Sequence, residues 1–100
     1  MRALVKVAAG PGHVAIQDVP ARDPGPDDLL IRVKYCGICG TDLSIVAGLH
    51  PRAQPSLVMG HEFVGTIADT GPEVSTDLQP GTRVVVEPLI SCGTCYACRA

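Results

Sequence analysis

Apolar and polar residues alternate along several short stretches of this chain, as they do in β-strands with one buried face. The first two stretches alternate weakly and are separated by the turn sequence GPGH, which favours a β-hairpin. The later stretches are bounded by turn-forming residues, as is typical of strands joined by loops. The chain is expected to hold six or so strands, and the clearest candidates are residues 3–8, 14–19, 29–35, 61–69 and 82–88.

One segment, residues 42–48, carries its apolar side chains at helical spacing, and Gly48 is expected to end that helix. Thr41 or Asp42 is expected to cap its start, because short polar side chains accept hydrogen bonds from the first free amides. No strand–helix–strand repeat is found. The pattern predicts a mainly β fold: a small, partly open β-barrel with one short helix and an irregular cysteine-rich lobe at about residues 90–100.

Composition supports short strands and tight turns, since the chain has 11 glycines and 9 prolines but one Phe and no Trp. A net charge of −2 offers no basic face for nucleic acid. No apolar run is long enough for a spanning helix, and the N-terminus is too interrupted for a signal peptide. We therefore expect a cytoplasmic protein with neither nucleic-acid nor membrane partners.

Five cysteines in a cytoplasmic chain indicate metal or redox chemistry before disulfides. Cys92, Cys95 and Cys98 form two successive C-x2-C steps, and zinc is the usual metal for thiolates at this spacing. An iron–sulfur cluster is the alternative, because the same spacing opens the bacterial ferredoxin motif. A ribbon-type site completed by Cys36 and Cys39 is a further alternative.

His61 stands in the sequence GHE, which would begin a zinc-protease motif if a histidine followed at position 65. Position 65 is Gly65, so that class is excluded. A lone histidine is more often a structural residue, but Gly60 and Gly65 would let the backbone approach a neighbour closely. Cys39 and His61 together suit zinc, and with a third ligand they would leave a position open for substrate.

The motifs CGICGTD, GHE-x2-G-x5-G-x2-V, GTRVVVEP and CGTCYACR resemble the N-terminal part of the zinc-dependent medium-chain dehydrogenases of the alcohol dehydrogenase superfamily. The resemblance covers nearly the whole chain and is strongest to the polyol, butanediol and threonine dehydrogenase branch. It implies that residues 1–100 are a GroES-like catalytic domain, cut within the structural-zinc lobe at about residues 90–100. The complete enzyme would be a homo-oligomer that transfers hydride from a secondary alcohol, polyol or amino alcohol to NAD or NADP.

The resemblance also implies two zinc sites. Cys39 and His61 would bind a catalytic zinc with Glu62 as a neighbouring acid, and a third protein ligand is expected beyond residue 100. A separate structural zinc would be held by Cys92, Cys95 and Cys98, with its fourth cysteine soon after residue 100. No G-x-G-x-x-G motif is present, so the 100 residues alone are expected to lack dehydrogenase activity and to hold zinc weakly at the C-terminal triplet.

Further roles follow from the same resemblance. Asp42 would hydrogen-bond the far ring nitrogen of His61 and fix its tautomer. Thr41 would pass on the proton of the substrate hydroxyl. Ser44 stands where many relatives have a relay histidine. Either Ser44 would pass the proton through water or His50 would substitute from the following loop, although an exposed loop histidine is the simpler interpretation of His50. Cys36 matches no ligand and is expected to be small and buried.

Two other functions remain open at the level of sequence. The chain could be a non-catalytic, zinc-stabilised GroES-like interaction module in which Cys36, Cys39 and the C-terminal triplet share one metal and His61 has no role. It could also be an electron-transfer iron–sulfur fragment, for which a visible spectrum is the discriminating measurement.

Overall fold

A computed structural model describes residues 1–100, and it is mainly β with six strands and two short helices. The predicted hairpin, the central strands and the helix are all present, although several ends differ by one to three residues. The elements in chain order are β1 (Arg2–Lys6), β2 (Val14–Asp18), β3 (Leu29–Cys36), α1 (Gly40–Val46), β4 (Leu57–Val58), β5 (Phe63–Thr70), β6 (Arg83–Val85) and α2 (Tyr96–Arg99).

The strands form two open three-stranded sheets, in the orders β2-β1-β4 and β3-β5-β6, and every pairing is antiparallel. In the second sheet β3 pairs along its length with β5, and Cys36 lies opposite Phe63 at the end of the ladder. The segment after β3 and the segment before β5 therefore leave the sheet at the same end of the two paired strands. This arrangement brings the CGICGTD and GHE motifs together.

The buried core is small, as expected for a short chain. Its fully apolar members come from three different elements, namely Val5 in β1, Ile45 in α1 and Ile67 in β5. Ile45 is the residue through which α1 contributes to that core. Many large apolar side chains remain exposed, including Val85, Leu89 and Ile90 toward the C-terminus.

Two sequence-based expectations about helices are wrong. The N-cap of α1 is Cys39 rather than Thr41 or Asp42. Asp42 lies at the third helical position, and its Oδ2 accepts the Cys39 backbone N–H at 3.0 Å. This is the contact in a capping box that the third helical residue makes back to the N-cap. The cysteine-rich lobe is not wholly irregular, because it ends in the single turn of α2, which is too short to produce a periodic pattern.

The expected end of α1 is confirmed. Its C-cap is Ala47, and Gly48 follows with a φ of +75°, a conformation that glycine adopts without steric cost. Neither helix has the length and apolar composition needed to cross a bilayer.

Candidate metal centre

The end of the β3–β5 pair positions Cys39 and His61, the two residues that the sequence indicated as ligands of a catalytic metal. Gly37, directly after β3, donates its backbone N–H to the Glu62 carbonyl at 2.7 Å and so extends the pairing beyond the strands. Cys39 lies two residues later at the start of α1, and His61 immediately precedes Glu62. Residues 22 positions apart in sequence are thereby brought into contact.

Cys39, Asp42 and His61 form one cluster, with their potential ligand atoms all within 4.8 Å of one another. The Cys39 sulfur lies 3.0 Å from His61 Nε2. On the other side of the ring, His61 Nδ1 lies 3.7 Å from Asp42 Oδ1, slightly too far for a hydrogen bond. The imidazole therefore has the sulfur at one nitrogen and the carboxylate facing the other.

Asp42 is one of two buried charged residues in the chain, with 5% of its surface exposed. One carboxylate oxygen is used by the Cys39 N–H, whereas the buried Oδ1 has no hydrogen-bond partner. A buried unpaired carboxylate oxygen is costly, and a proton on His61 Nδ1 is the donor that lies nearest to satisfying it. This tautomer leaves the lone pair of Nε2 directed toward Cys39.

The donor set fits zinc. A tetrahedral zinc with typical bonds of about 2.3 Å to sulfur and about 2.0 Å to nitrogen separates those two ligand atoms by about 3.5 Å. The observed separation between Cys39 Sγ and His61 Nε2 is 3.0 Å, so a small outward rotation of either side chain would admit the ion. The His61 side chain is 34% exposed, which leaves the cluster accessible from solvent.

Glu62 is not part of this cluster. Its side chain is exposed, and it lies beside Gly37, where an added Cβ would stand 3.6 Å from Glu62 Oε2. The structure thus brings together Cys39, Asp42 and His61 but leaves Glu62 outside their grouping.

The two candidate proton-relay residues lie on α1. Thr41 is exposed in the first turn, and Ser44 follows three residues later with partial exposure. Side chains three residues apart share a face of a helix. His50 lies in the loop after α1, and its Nδ1 accepts the Arg52 backbone N–H at 3.4 Å, as suits a loop residue.

Cys36 is near the cluster but is exposed, so the expectation that it is buried is wrong. It is the last residue of β3, at the open end of the ladder, where little packs against it. Its sulfur lies against Gly60, where an added Cβ would come within 2.7 Å of it. Gly60 also has a φ of +101°, so both the close approach and the backbone conformation require glycine.

The C-terminal cysteines form a second, separate cluster. The sulfurs of Cys92, Cys95 and Cys98 also lie within 4.8 Å of one another, and all three residues are exposed. Cys36 and Cys39 do not join them, so the single-metal arrangement of the interaction-module hypothesis is not formed. Three thiols at this separation suit a metal that prefers sulfur ligands.

Within this triplet, hydrogen bonds activate the Cys92 thiol. Hydrogen bonds lower its pKa from 9.0 to about 6, chiefly the bond from the Thr94 side chain and then that from the Cys95 backbone N–H. Each donor lies 3.4 Å from the sulfur. A thiolate at neutral pH is the form that binds a metal.

Sequence reasoning missed Lys6, the other buried charged residue, which is 3% exposed. In the alternating pattern of residues 3–8 it reads as an outward-facing polar position. Neighbouring glycines at positions 10 and 12 are a signal that could have revealed it, because backbone carbonyls in a tight turn can satisfy a buried ammonium.

A mainly β domain with two separate clusters of potential zinc ligands is the class that the fold and the side chains define. Comparison with known proteins identifies the family. Residues 25–100 match the family described as "Alcohol dehydrogenase GroES-like domain". The chain belongs to this family, and the GroES-like fold expected from the sequence is confirmed.

Particular relatives are similar over nearly the whole chain. The L-threonine 3-dehydrogenase of Streptomyces coelicolor is 48% identical over 103 residues, covering 100% of this chain and 30% of that protein. A thermostable alcohol dehydrogenase from Pyrobaculum aerophilum, solved with cobalt and zinc, superposes with a TM-score of 0.85 at 33% identity, over 99% of this chain and 30% of that one. A short chain alcohol dehydrogenase from Escherichia coli CFT073, complexed with NADH, gives a TM-score of 0.80 at 33% identity, over 99% and 28%. The chain thus spans less than a third of the length of these relatives.

Proposed function

We propose that this chain is the catalytic domain of a zinc-dependent dehydrogenase that oxidises a secondary alcohol, polyol or amino alcohol and transfers the hydride to NAD or NADP. The observation that carries the proposal is the contact of 3.0 Å between Cys39 Sγ and His61 Nε2, with the buried Asp42 carboxylate behind the ring. The proposal is supported by relatives named threonine and alcohol dehydrogenases. The domain is proposed to span residues 1–100.

Cys39 and His61 would hold the catalytic zinc. When bound, the ion supplies Lewis-acid chemistry that lowers the pKa of a substrate hydroxyl. Glu62 would reach the ion only by reorientation of its exposed side chain. A structural zinc would be held by the C-terminal cluster of Cys92, Cys95 and Cys98.

The residues around this centre have proposed roles in orientation and proton transfer. Asp42 keeps the His61 ring in the tautomer whose Nε2 can bind a metal. Thr41 would relay the proton of the substrate hydroxyl, accepting it at Oγ1 while its own hydroxyl proton passes on, and Ser44 would pass that proton through water toward solvent. Thr41 and Ser44 lie three residues apart on α1, so their side chains share one face of the helix, which supports a relay between them.

The cofactor and the cellular setting are also proposals. NAD or NADP as hydride acceptor is supported by the relative that is complexed with NADH. The protein is proposed to be cytoplasmic and homo-oligomeric, with a small-molecule alcohol as its substrate. Size-exclusion chromatography with light scattering tests the assembly.

Metal analysis of the complete enzyme, of which these residues are proposed to form the catalytic domain, and of its Cys39→Ser variant tests the proposal. The wild-type protein should hold two zinc ions per chain, and the variant should lose one while remaining folded. NAD(P)-dependent oxidation of a panel of threonine, polyols and secondary alcohols should disappear in the variant. One zinc bound by sulfur alone would favour the interaction module, and charge-transfer bands in the visible spectrum would favour an iron–sulfur protein.

A further inference from the structure

The two buried charged side chains of the chain lie at opposite ends of the same helix. Asp42 is in the first turn of α1, next to the candidate metal centre, whereas Lys6 of β1 contacts the last turn. A negative charge near a helix N-terminus and a positive charge near its C-terminus both complement the helix dipole. The last turn of α1 has no basic residue of its own, so Lys6 supplies that charge from another element.

The Lys6 ammonium is held entirely by backbone carbonyl oxygens. It donates to Gly10 O, Gly12 O and, at 3.4 Å, Val46 O, the carbonyl of the last residue of α1. An ammonium has three donors, so all of them have acceptors in this buried position. No carboxylate is needed to satisfy the charge.

The turn after β1 is joined to the end of α1 by further contacts. Gly12 donates its N–H to the same Val46 carbonyl at 2.7 Å. Gly48 packs so closely on the turn that an added Cβ would lie 2.5 Å from the carbonyl carbon of Gly10. Lys6 is therefore the centre of a junction between the first sheet and α1.

The same strand also fixes the segment that leads to His61. The backbone N–H of Met59 donates to Leu4 O in β1 at 2.8 Å, two residues before His61. The strand β1 thus holds both the C-terminal end of the helix that Cys39 caps and the segment that leads to His61. A helix of seven residues is too short to be stable alone, so its direction depends on such contacts.

We propose that Lys6 is a positioning residue for the metal centre: it anchors the C-terminal end of α1, and so sets the place of Cys39 relative to His61. The metal-binding part of this proposal rests on the proposed function. Loss of the ammonium would leave the carbonyls of Gly10 and Gly12 without a donor and would remove one of the two donors to Val46 O. With the junction weakened, α1 would tilt about its buried residue Ile45. The Cys39 sulfur would then move away from His61 Nε2.

The experiment compares Lys6→Met with the matched control Lys34→Met, which removes an exposed lysine of β3. Each purified protein is alkylated with iodoacetamide at a series of buffered free zinc concentrations, and peptide mass spectrometry reads every cysteine separately. Cys36 is an internal control because it is exposed and lies close to Cys39 in the same peptide. Circular dichroism establishes that each variant is folded.

In Lys6→Met, the zinc concentration that half-protects Cys39 should rise by about tenfold, as when an outer residue that orients a ligand is lost. Protection of the C-terminal triplet should stay within twofold of wild type, and Lys34→Met should change neither. A general loss of stability would raise the half-protecting zinc concentration of Cys39 and of the C-terminal triplet together. A folded Lys6→Met protein with unchanged Cys39 protection would overturn the proposal.

Two further arms cover the remaining outcomes. Without zinc, Cys39 in Lys6→Met should be alkylated several-fold faster relative to Cys36, so the proposal is tested even if wild type binds no metal there and the proposed function fails. If Lys6→Met does not fold, Gly48→Ala disturbs the same junction. In that variant the alkylation rate of Cys39 without zinc and the zinc concentration that half-protects it should both rise. Failure of both variants to fold would overturn a positioning role and make Lys6 a folding determinant.

Discussion

Replacing Asp42 with asparagine separates the charge of this side chain from its shape. The carboxylate has two different neighbours: Oδ2 accepts the Cys39 N–H at 3.0 Å, and Oδ1 faces His61 Nδ1 at 3.7 Å. An asparagine amide has one oxygen and one NH2 group, so it can serve only one of these neighbours as an acceptor. In either orientation, the other neighbour meets a donor.

The first orientation places the NH2 group against His61. The ring would then carry its proton on Nε2, which removes the lone pair that faces Cys39 and a metal. The second orientation places NH2 against the Cys39 N–H and breaks the capping box, at a cost of about 1 kcal/mol in the free energy of unfolding. For zinc affinity we expect a loss of about 10- to 100-fold, which corresponds to about 1.4 to 2.8 kcal/mol.

Zinc affinity of Asp42→Asn is measured by competition with a coloured chelator, and the melting temperature is recorded in parallel. Asp28→Asn is a matched control, because Asp28 Oδ2 also accepts a backbone N–H three residues earlier, that of Gly25, at 3.0 Å, but in an exposed turn. Asp28→Asn should leave zinc affinity unchanged. A zinc affinity within twofold of wild type in Asp42→Asn, or an equal loss in both variants, would refute the reasoning.

Three other predictions concern the two cysteine clusters and the packing of β5. In the complete enzyme, Cys39→Ser should abolish dehydrogenase activity while circular dichroism stays unchanged. In metal-free protein, the Cys92 thiol should gain reactivity toward iodoacetamide as pH rises through about 6, because the thiolate is present above its lowered pKa and is protonated below it; Thr94→Val should move that midpoint upward. Gly65→Ala should destabilise the fold by about 1 to 3 kcal/mol in chemical denaturation, because an added methyl would overlap a backbone carbonyl of β3, whereas Gly40→Ala, with open space around its added methyl, should be neutral or slightly stabilising.

Each of these has a result that contradicts it. Near-normal turnover in Cys39→Ser would remove this residue from the reaction. An unchanged midpoint in Thr94→Val would show that the Thr94 hydroxyl does not stabilise the Cys92 thiolate. Equal unfolding free energies for Gly65→Ala and Gly40→Ala would show that the strands can separate to admit a methyl.

Alternation and turn residues were enough to predict a mainly β fold and five of the six strands, because these signals depend on local burial and backbone geometry. The GroES-like class was implied only by the family resemblance of the motifs. The predicted N-cap of α1 was wrong, since the capping residue is Cys39 and Asp42 acts from within the first turn. Propensity scales favour Ser, Thr, Asp and Asn at that position. They cannot anticipate that Asp42 is drawn inward to face His61.

The grouping of Cys39, Asp42 and His61 was predicted only through the family resemblance, because residue types alone do not show which side chains meet. The β3–β5 pairing explains why Cys39 and His61 meet, and the structure leaves Glu62 outside the cluster. Lys6 could not be found from alternation, because the carbonyls that satisfy it come from a turn and from a helix 40 residues away in sequence. Such long-range contacts leave no periodic signal in the sequence.

The separation of Cys39 and His61 along the chain determines how much a shared metal ion would stabilise the fold. An ion bound to both would be a cross-link that closes a loop of 22 residues, which includes α1 and β4. The chain-entropy relation for cross-links gives about 3.4 kcal/mol for a loop of that size, a large share of the roughly 5 to 15 kcal/mol that stabilises an ordinary domain. Removing the ion would therefore weaken the tie between α1 and the second sheet, and the segment between Cys39 and His61 would become more open to proteolytic cleavage than in the zinc-bound protein.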